Sequence, residues 1–141
     1  MKFICDAPDG TTWFRIETEA EAATESGEMR HAVEKYFHRE QEAARQSYRP
    51  ASTIFIEQEI GLGAHIQREM PRFLTLRDQD GNALVTAMLP PDGRSPDGFR
   101  CIVVGPENGD PYVAHREAIE ALGQHLGIAL DHASCYPYRR S

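Results

Sequence analysis

The sequence predicts an α+β domain: a mostly antiparallel sheet of five to six strands, with one long helix in the N-terminal half and one C-terminal helix packed on it. Three observations carry that expectation. Several short runs are rich in β-branched and aromatic residues, two longer stretches repeat apolar residues at helical spacing, and the strand-like runs meet at tight turn signals. Hairpin connections make neighbouring strands antiparallel, which separates this order of elements from a doubly wound fold.

The first element is a hairpin. Residues 2–5 form a short apolar run, Pro8-Asp9-Gly10 is a turn signal, and residues 12–16 include the β-formers Trp13 and Phe14. A long helix follows. Thr18 with Glu21 three positions later has capping-box form, Met29, Val33, Tyr36, Phe37 and Ala44 recur at helical spacing, and Pro50 stops the run. Gly27 is the weak point, where this helix would break in two.

Strands are expected through the middle. In residues 53–60, Ile54, Ile56 and Ile60 share one face while Phe55, Glu57 and Glu59 share the other, the pattern of a half-buried strand. Gly61-Leu62-Gly63 then reads as a bend or bulge, and residues 65–69 as a short strand or an irregular link. Residues 73–77 and 83–89 flank Asp80-Gly81, a strong hairpin turn. Residues 83–89 and 101–104 are apolar on both faces, so both are expected as interior strands. The two Pro-Asp-Gly turns between them, at residues 90–98, predict an exposed, mobile loop.

The last helix carries the clearest boundaries. Asp110 is placed as N-cap, Pro111 at the first helical position, Ile119, Leu122 and Leu126 as the apolar stripe, and Gly127 as the left-handed C-cap. A short strand over residues 128–130 would follow it.

A chain of 141 residues holds one ordinary domain, placed at 1–133, with a polar aromatic-basic tail at 134–141. A net charge of −7 excludes the sequence-independent grip on nucleic acid that clustered cations provide. The N-terminus has no signal-peptide apolar region, and the longest apolar stretch, 83–89, is far below membrane-helix length. Cys5, Cys101 and Cys135 form no CxxC pair, as expected of a cytoplasmic protein.

His31, Glu34 and His38 stand at i, i+3 and i+7, one face of a helix, where they could converge on a metal; that face lies roughly 140° from the apolar stripe and reads as solvated. Cys5 and Cys101 sit in strands as small hydrophobes, and Asp131-His132 stands close to Cys135 only along the chain. Glu57 and Glu59 share a strand face without a visible cleft. Gly61-Leu62-Gly63 lacks the helix N-terminus that phosphate binding needs. None of these sets earns a catalytic, cofactor or metal assignment. The acidic run Glu17, Glu19, Glu21, Glu25 and Glu28 reads as a solvated helix start, or else as a docking surface for a basic partner. Tyr136, Tyr138, Arg139 and Arg140 combine residue types enriched at binding hot spots.

No motif specifies a chemistry. The skewed charge and the tail point to a non-catalytic intracellular protein-interaction domain (a regulator, adaptor or inhibitor) whose partner is another protein or a second copy. The alternative is a small-molecule-binding domain or small enzyme, with a pocket between the sheet and the long helix that uses polar groups such as His65.

Overall fold

Lys2–Ala7 (β1) and Thr11–Arg15 (β2) form the first hairpin, and Asp9 and Gly10 turn it in left-handed conformation, at φ 62° and 71°. The computed structural model describes residues 1–94, 99 and 101–138. Glu19–Met29 (α1), Val33–Gln46 (α2) and Phe55–Glu69 (α3) come next, followed by Arg72–Arg77 (β3), Ala83–Leu89 (β4), Ile102–Val104 (β5) and Tyr112–Leu126 (α4). The five strands form one antiparallel sheet in the order β1-β2-β3-β4-β5. The α+β class is therefore as expected, with four α-helices among the described residues.

Alternation along the strands gives the sheet two working faces. Trp13, Leu74, Leu76, Val85, Ala87, Leu89 and Val103 pack against Tyr112, Ala118, Ile119 and Leu122 of α4. The Trp13 indole N–H donates to the Ala118 carbonyl at 2.9 Å, which satisfies the one polar group of the largest buried side chain. On the other face, Ile16 and Phe73 pack against Ala22, Val33, Phe37 and Ala44, and the Phe37 and Phe73 rings lie 5.3 Å apart.

The expected long helix is two helices, and the break is not at Gly27. The Thr18–Glu21 capping box opens α1, with Glu21 N–H donating to Thr18 Oγ1 at 3.1 Å. The helix runs through Gly27 and ends where Arg30 turns left-handed at φ 54°. Ser26 then serves the next helix, since its Oγ accepts from the Glu34 N–H at 2.9 Å. This turn swings His31 out of helical register and towards the sheet.

The strand expected over residues 53–60 is also wrong: Phe55–Glu69 is helical. Gln58, Gly61, Leu62, His65, Ile66 and Glu69 are its half-buried positions, a 3.6-residue period that the alternating isoleucines mask. Tyr48 explains Gly61. A Cβ there would lie 2.3 Å from the Tyr48 hydroxyl, so the glycine is a seat for that ring rather than a bend. His65 joins the same contact, with its Nε2 2.8 Å from Ser47 Oγ and its ring 5.3 Å from that of Tyr48.

The Asp80-Gly81 hairpin forms as expected. Gly81 is left-handed at φ 83°, and Asp78 Oδ1 accepts from the N–H groups of Asp80 and Asn82 at 2.9 Å each. Those bonds, from Asn82 first, hold the Asp78 carboxyl below its ordinary range. β4 is interior, but β5 is the edge strand, with Cys101 in a parallel bridge to Cys135 beside it. Of the loop expected to be mobile, Pro90 and Pro91 are buried, Arg72 Nε donates to the Pro90 carbonyl at 2.8 Å, and Arg94 pairs with Glu69; residues 95–98 lie outside the described residues. Asp110 caps α4 through Tyr112 N–H at 2.7 Å, and Gly127 ends it at φ 69°. Residues 128–130 are not a strand; Leu130 turns back into the core instead. No helix among the described residues is long and apolar enough to cross a membrane.

Candidate functional site

Each glutamate of the acidic run has a partner within the protein, and one of them, Glu25, is buried. Glu17 and Glu21 approach the N-terminal amine, Glu19 pairs with His38, and Glu28 reaches Arg77 at 3.6 Å. Glu25 is fully buried. Its Oε1 accepts from Arg77 Nη2 at 2.6 Å and its Oε2 from Thr86 Oγ1 at 2.5 Å. Burial pushes its carboxyl up, and the bonds from Thr86, Thr75 and Arg77 offset that only in part. Both readings of the run made from sequence, as a solvated face or as a docking surface, fail at this residue.

The row continues to His31, whose Nε2 lies 2.8 Å from the same Thr86 hydroxyl. Thr86 donates its only proton to Glu25, so it accepts from His31, which fixes the Nε2–H tautomer. His31 Nδ1 then faces the Val33 N–H at 3.4 Å. Burial holds the imidazole below its ordinary pKa and therefore neutral. With both ring nitrogens turned inward, His31 is a strut between α2 and the sheet.

Beside this strut lies a groove of about 520 Å³. Helices α1 and α2 cover the sheet over β3 and β4, which leaves the cross-strand rows ending in Ile102 and Val104 as its apolar floor. One rim is Tyr36 with Arg39, whose guanidinium stands 4.9 Å from the Tyr36 ring centre. The other rim is Tyr136, Pro137 and Tyr138. An apolar floor, tyrosine walls and one cation suit binding of an amphipathic group.

Of the tail residues singled out in the sequence, Tyr136 and Tyr138 thus come together on one groove wall. Tyr138 also packs on Tyr112, with ring centres 6.2 Å apart. Arg139 and Arg140 lie outside the described residues. The His31, Glu34 and His38 set does not converge, because His31 faces Thr86 while His38 pairs with Glu19 on the surface. His65 sits at the α2–α3 contact and not in the groove between helix and sheet. Glu57 and Glu59 project from a helix, and Ser52 Oγ donates to Glu57 at 2.5 Å.

The feature missed in the sequence is α3. It has no fully buried residue, and Ile54, Phe55, Ile56 and Ile60 are 57%, 72%, 70% and 68% exposed. Ile56, Ile60, Gly63 and Gln67 follow one another at spacings of four, three and four, a seam about 60° wide along the outward side. That 4-3-4 spacing was legible, but strand alternation over the first six residues concealed it. No protein-family model matches the chain, and neither a curated protein nor a solved structure shows significant similarity to it.

Proposed function

We propose that this chain is a non-catalytic protein-interaction domain that docks through the outward seam of α3, and that its partner there is a second copy of itself. The observation that carries the reading is the exposure of Ile56 and Ile60 on that seam, with Ile54 and Phe55 exposed beside it where the helix begins. Single exposed apolar residues are ordinary, whereas a cluster of four large ones marks a contact surface.

Self-pairing rests on complementarity within the seam. Its first half is bulky, at Ile56 and Ile60, and its second half is small, at Gly63 and Ala64. The space where a Gly63 Cβ would stand has no atom within 4 Å. Two copies laid antiparallel about a two-fold axis set each Ile60 over Gly63 of the partner subunit, knob into hole, twice by symmetry. The same alignment lays Glu57 beside Arg68 of the partner subunit, and it opposes the two helix dipoles. Ile56 and Ile60 supply the centre of the contact, and a stable interface uses ~800 Å² per partner. The flanks of two fifteen-residue helices supply the remainder.

Analytical ultracentrifugation of the wild type and of the Ile56→Glu, Ile60→Glu double variant tests this. The wild type is expected as a dimer, tightened by salt because screening weakens repulsion between two chains of charge −7. The double variant is expected as a monomer with an unchanged far-UV circular dichroism spectrum, and with a melting temperature that no longer rises with protein concentration. A monomeric wild type at 100 μM, or a dimer that survives both glutamates, would overturn the reading.

The groove supports a second reading, as a small-molecule site. Its volume lies within the roughly 300–1,000 Å³ usual for ligand pockets, and Arg39 supplies the charge that would orient a carboxylate. A thermal-shift screen of aromatic carboxylates should give stabilisation that Arg39→Gln removes; shifts that persist in this variant would place the ligands elsewhere.

A further inference from the structure

Cys101 and Cys135 meet where the C-terminal segment crosses the edge of the sheet. They are partners in a parallel backbone bridge, and the Tyr136 N–H donates to the Cys101 carbonyl at 2.8 Å. Adjacent strands lie about 4.8 Å apart, inside the roughly 4.4–6.8 Å range of Cα separations that a disulfide accepts. Directly opposed residues of a parallel pair point to the same side, which sets the Cys101 and Cys135 thiols next to each other. Both residues are buried, and the Arg72 guanidinium and the Tyr112 ring border the pair. Cys5 stands on β1, at the opposite edge of the sheet.

We propose that Cys101 and Cys135 are a reversible disulfide site, oxidised by low-molecular-weight disulfides of the glutathione class, and that its closure fastens Tyr136, Pro137 and Tyr138 to β5 as a fixed wall of the groove. The proposal is independent of the α3 pairing.

The step balances through two exchanges. The Cys101 thiolate attacks one sulfur of the small disulfide, forms a mixed disulfide, and releases one small thiolate. Cys135 loses its proton to solvent, attacks Cys101 Sγ and expels the second thiolate. Two protein thiols are oxidised, and the small disulfide is reduced to two thiols. The order follows from the surroundings. The hydrogen bond from Cys135 pulls the Cys101 thiol down to about 7, with help from Arg72 and against burial. Donating that bond, together with burial, pushes Cys135 up, so it acts second. Local opening of the C-terminal segment at the sheet edge admits the reagent.

The test is peptide mapping of the full chain after equilibration in glutathione buffers from strongly reducing to strongly oxidising, with free thiols alkylated. The expected product is a Cys101–Cys135 cross-linked peptide that reverts on reduction, while Cys5 stays alkylatable. Oxidised protein should melt about 5–10 °C higher than reduced protein. Cys135→Ser should stop at a mixed disulfide on Cys101. No cross-link at any poise, a cross-link through Cys5, or wild-type protein that accumulates only glutathione adducts would each overturn the assignment. The wild-type map decides the matter even if the serine variant fails to fold.

Discussion

Glu25 of α1 and Arg77 of β3 meet at 2.6 Å, with side chains 0% and 8% exposed. Arg77 also donates to Thr75 Oγ1 at 3.0 Å and to the Gly81 carbonyl at 2.9 Å, so one guanidinium ties the first helix to both the strand and its hairpin turn. A buried pair gives little net stability against apolar residues of the same volume, but removal of one partner strands the other charge. Arg77→Met should therefore cost about 3–5 kcal/mol. Glu25→Leu with Arg77→Met should recover most of it. Urea denaturation midpoints of the parent, single and double variants measure this; additive losses would show that the two residues do not act as a pair.

His31 predicts a pH dependence. Burial lowers its pKa in the folded state, so its contribution to stability is fully present above the unfolded value and is lost as the pH falls through about 6.5. The groups facing it are the Thr86 hydroxyl, the Glu25 carboxyl behind that hydroxyl, and Arg39 across the groove rim. His31→Gln keeps a hydrogen-bonding side chain and removes the titration. The stability of the parent relative to this variant should fall as the pH drops below about 6.5, as read from paired melts; a difference that stays flat would mean His31 is solvated in both states.

Two glycines inside helices should respond with opposite sign. Nothing lies within 4 Å of a Cβ added at Gly27 in α1, so Gly27→Ala should stabilise by about 0.5–1 kcal/mol through helix propensity. A Cβ at Gly123 in α4 would stand 2.8 Å from the Ile128 carbonyl oxygen, just past the turn that Gly127 closes. Gly123→Ala should therefore destabilise despite the same propensity gain. Differential scanning calorimetry of both variants separates the two effects; a stabilising Gly123→Ala would refute the close approach there, and a destabilising Gly27→Ala would refute the open space in α1.

Thr18 tests how much the first helix depends on its cap. Its side chain accepts from Glu21 N–H, and its own N–H donates to Glu21 Oε1 at 3.2 Å. Thr18→Ala should cost about 1 kcal/mol in chemical denaturation. A larger loss would mean that release of Glu21 also frees the N-terminal amine it holds.

The elements that sequence placed well are those whose signals act within a few residues. The Thr18–Glu21 box, the turns at Gly10 and Gly81, the Asp110 and Gly127 caps and the double-sided apolar run of β4 each depend on local hydrogen bonds, local φ or a short period. They established the α+β class and the antiparallel hairpins. Tyr136 and Tyr138 stand out in the sequence by residue type alone, whereas their place beside the groove is decided by the fold.

Tertiary structure decided the rest. Residues 53–60 satisfy a two-residue and a 3.6-residue period at once, and the choice fell to α2, where Tyr48 over Gly61 and Ser47 against His65 favour a helix. Glu25 looks like its four exposed-seeming neighbours until Arg77, fifty-two positions away, arrives to pair with it. His31 matches His38 in helical phase until the left-handed Arg30 turns it towards Thr86. The reason is common to all three: period and propensity are written along the chain, whereas burial, charge pairing and the side a residue faces depend on partners that only the folded chain brings within reach.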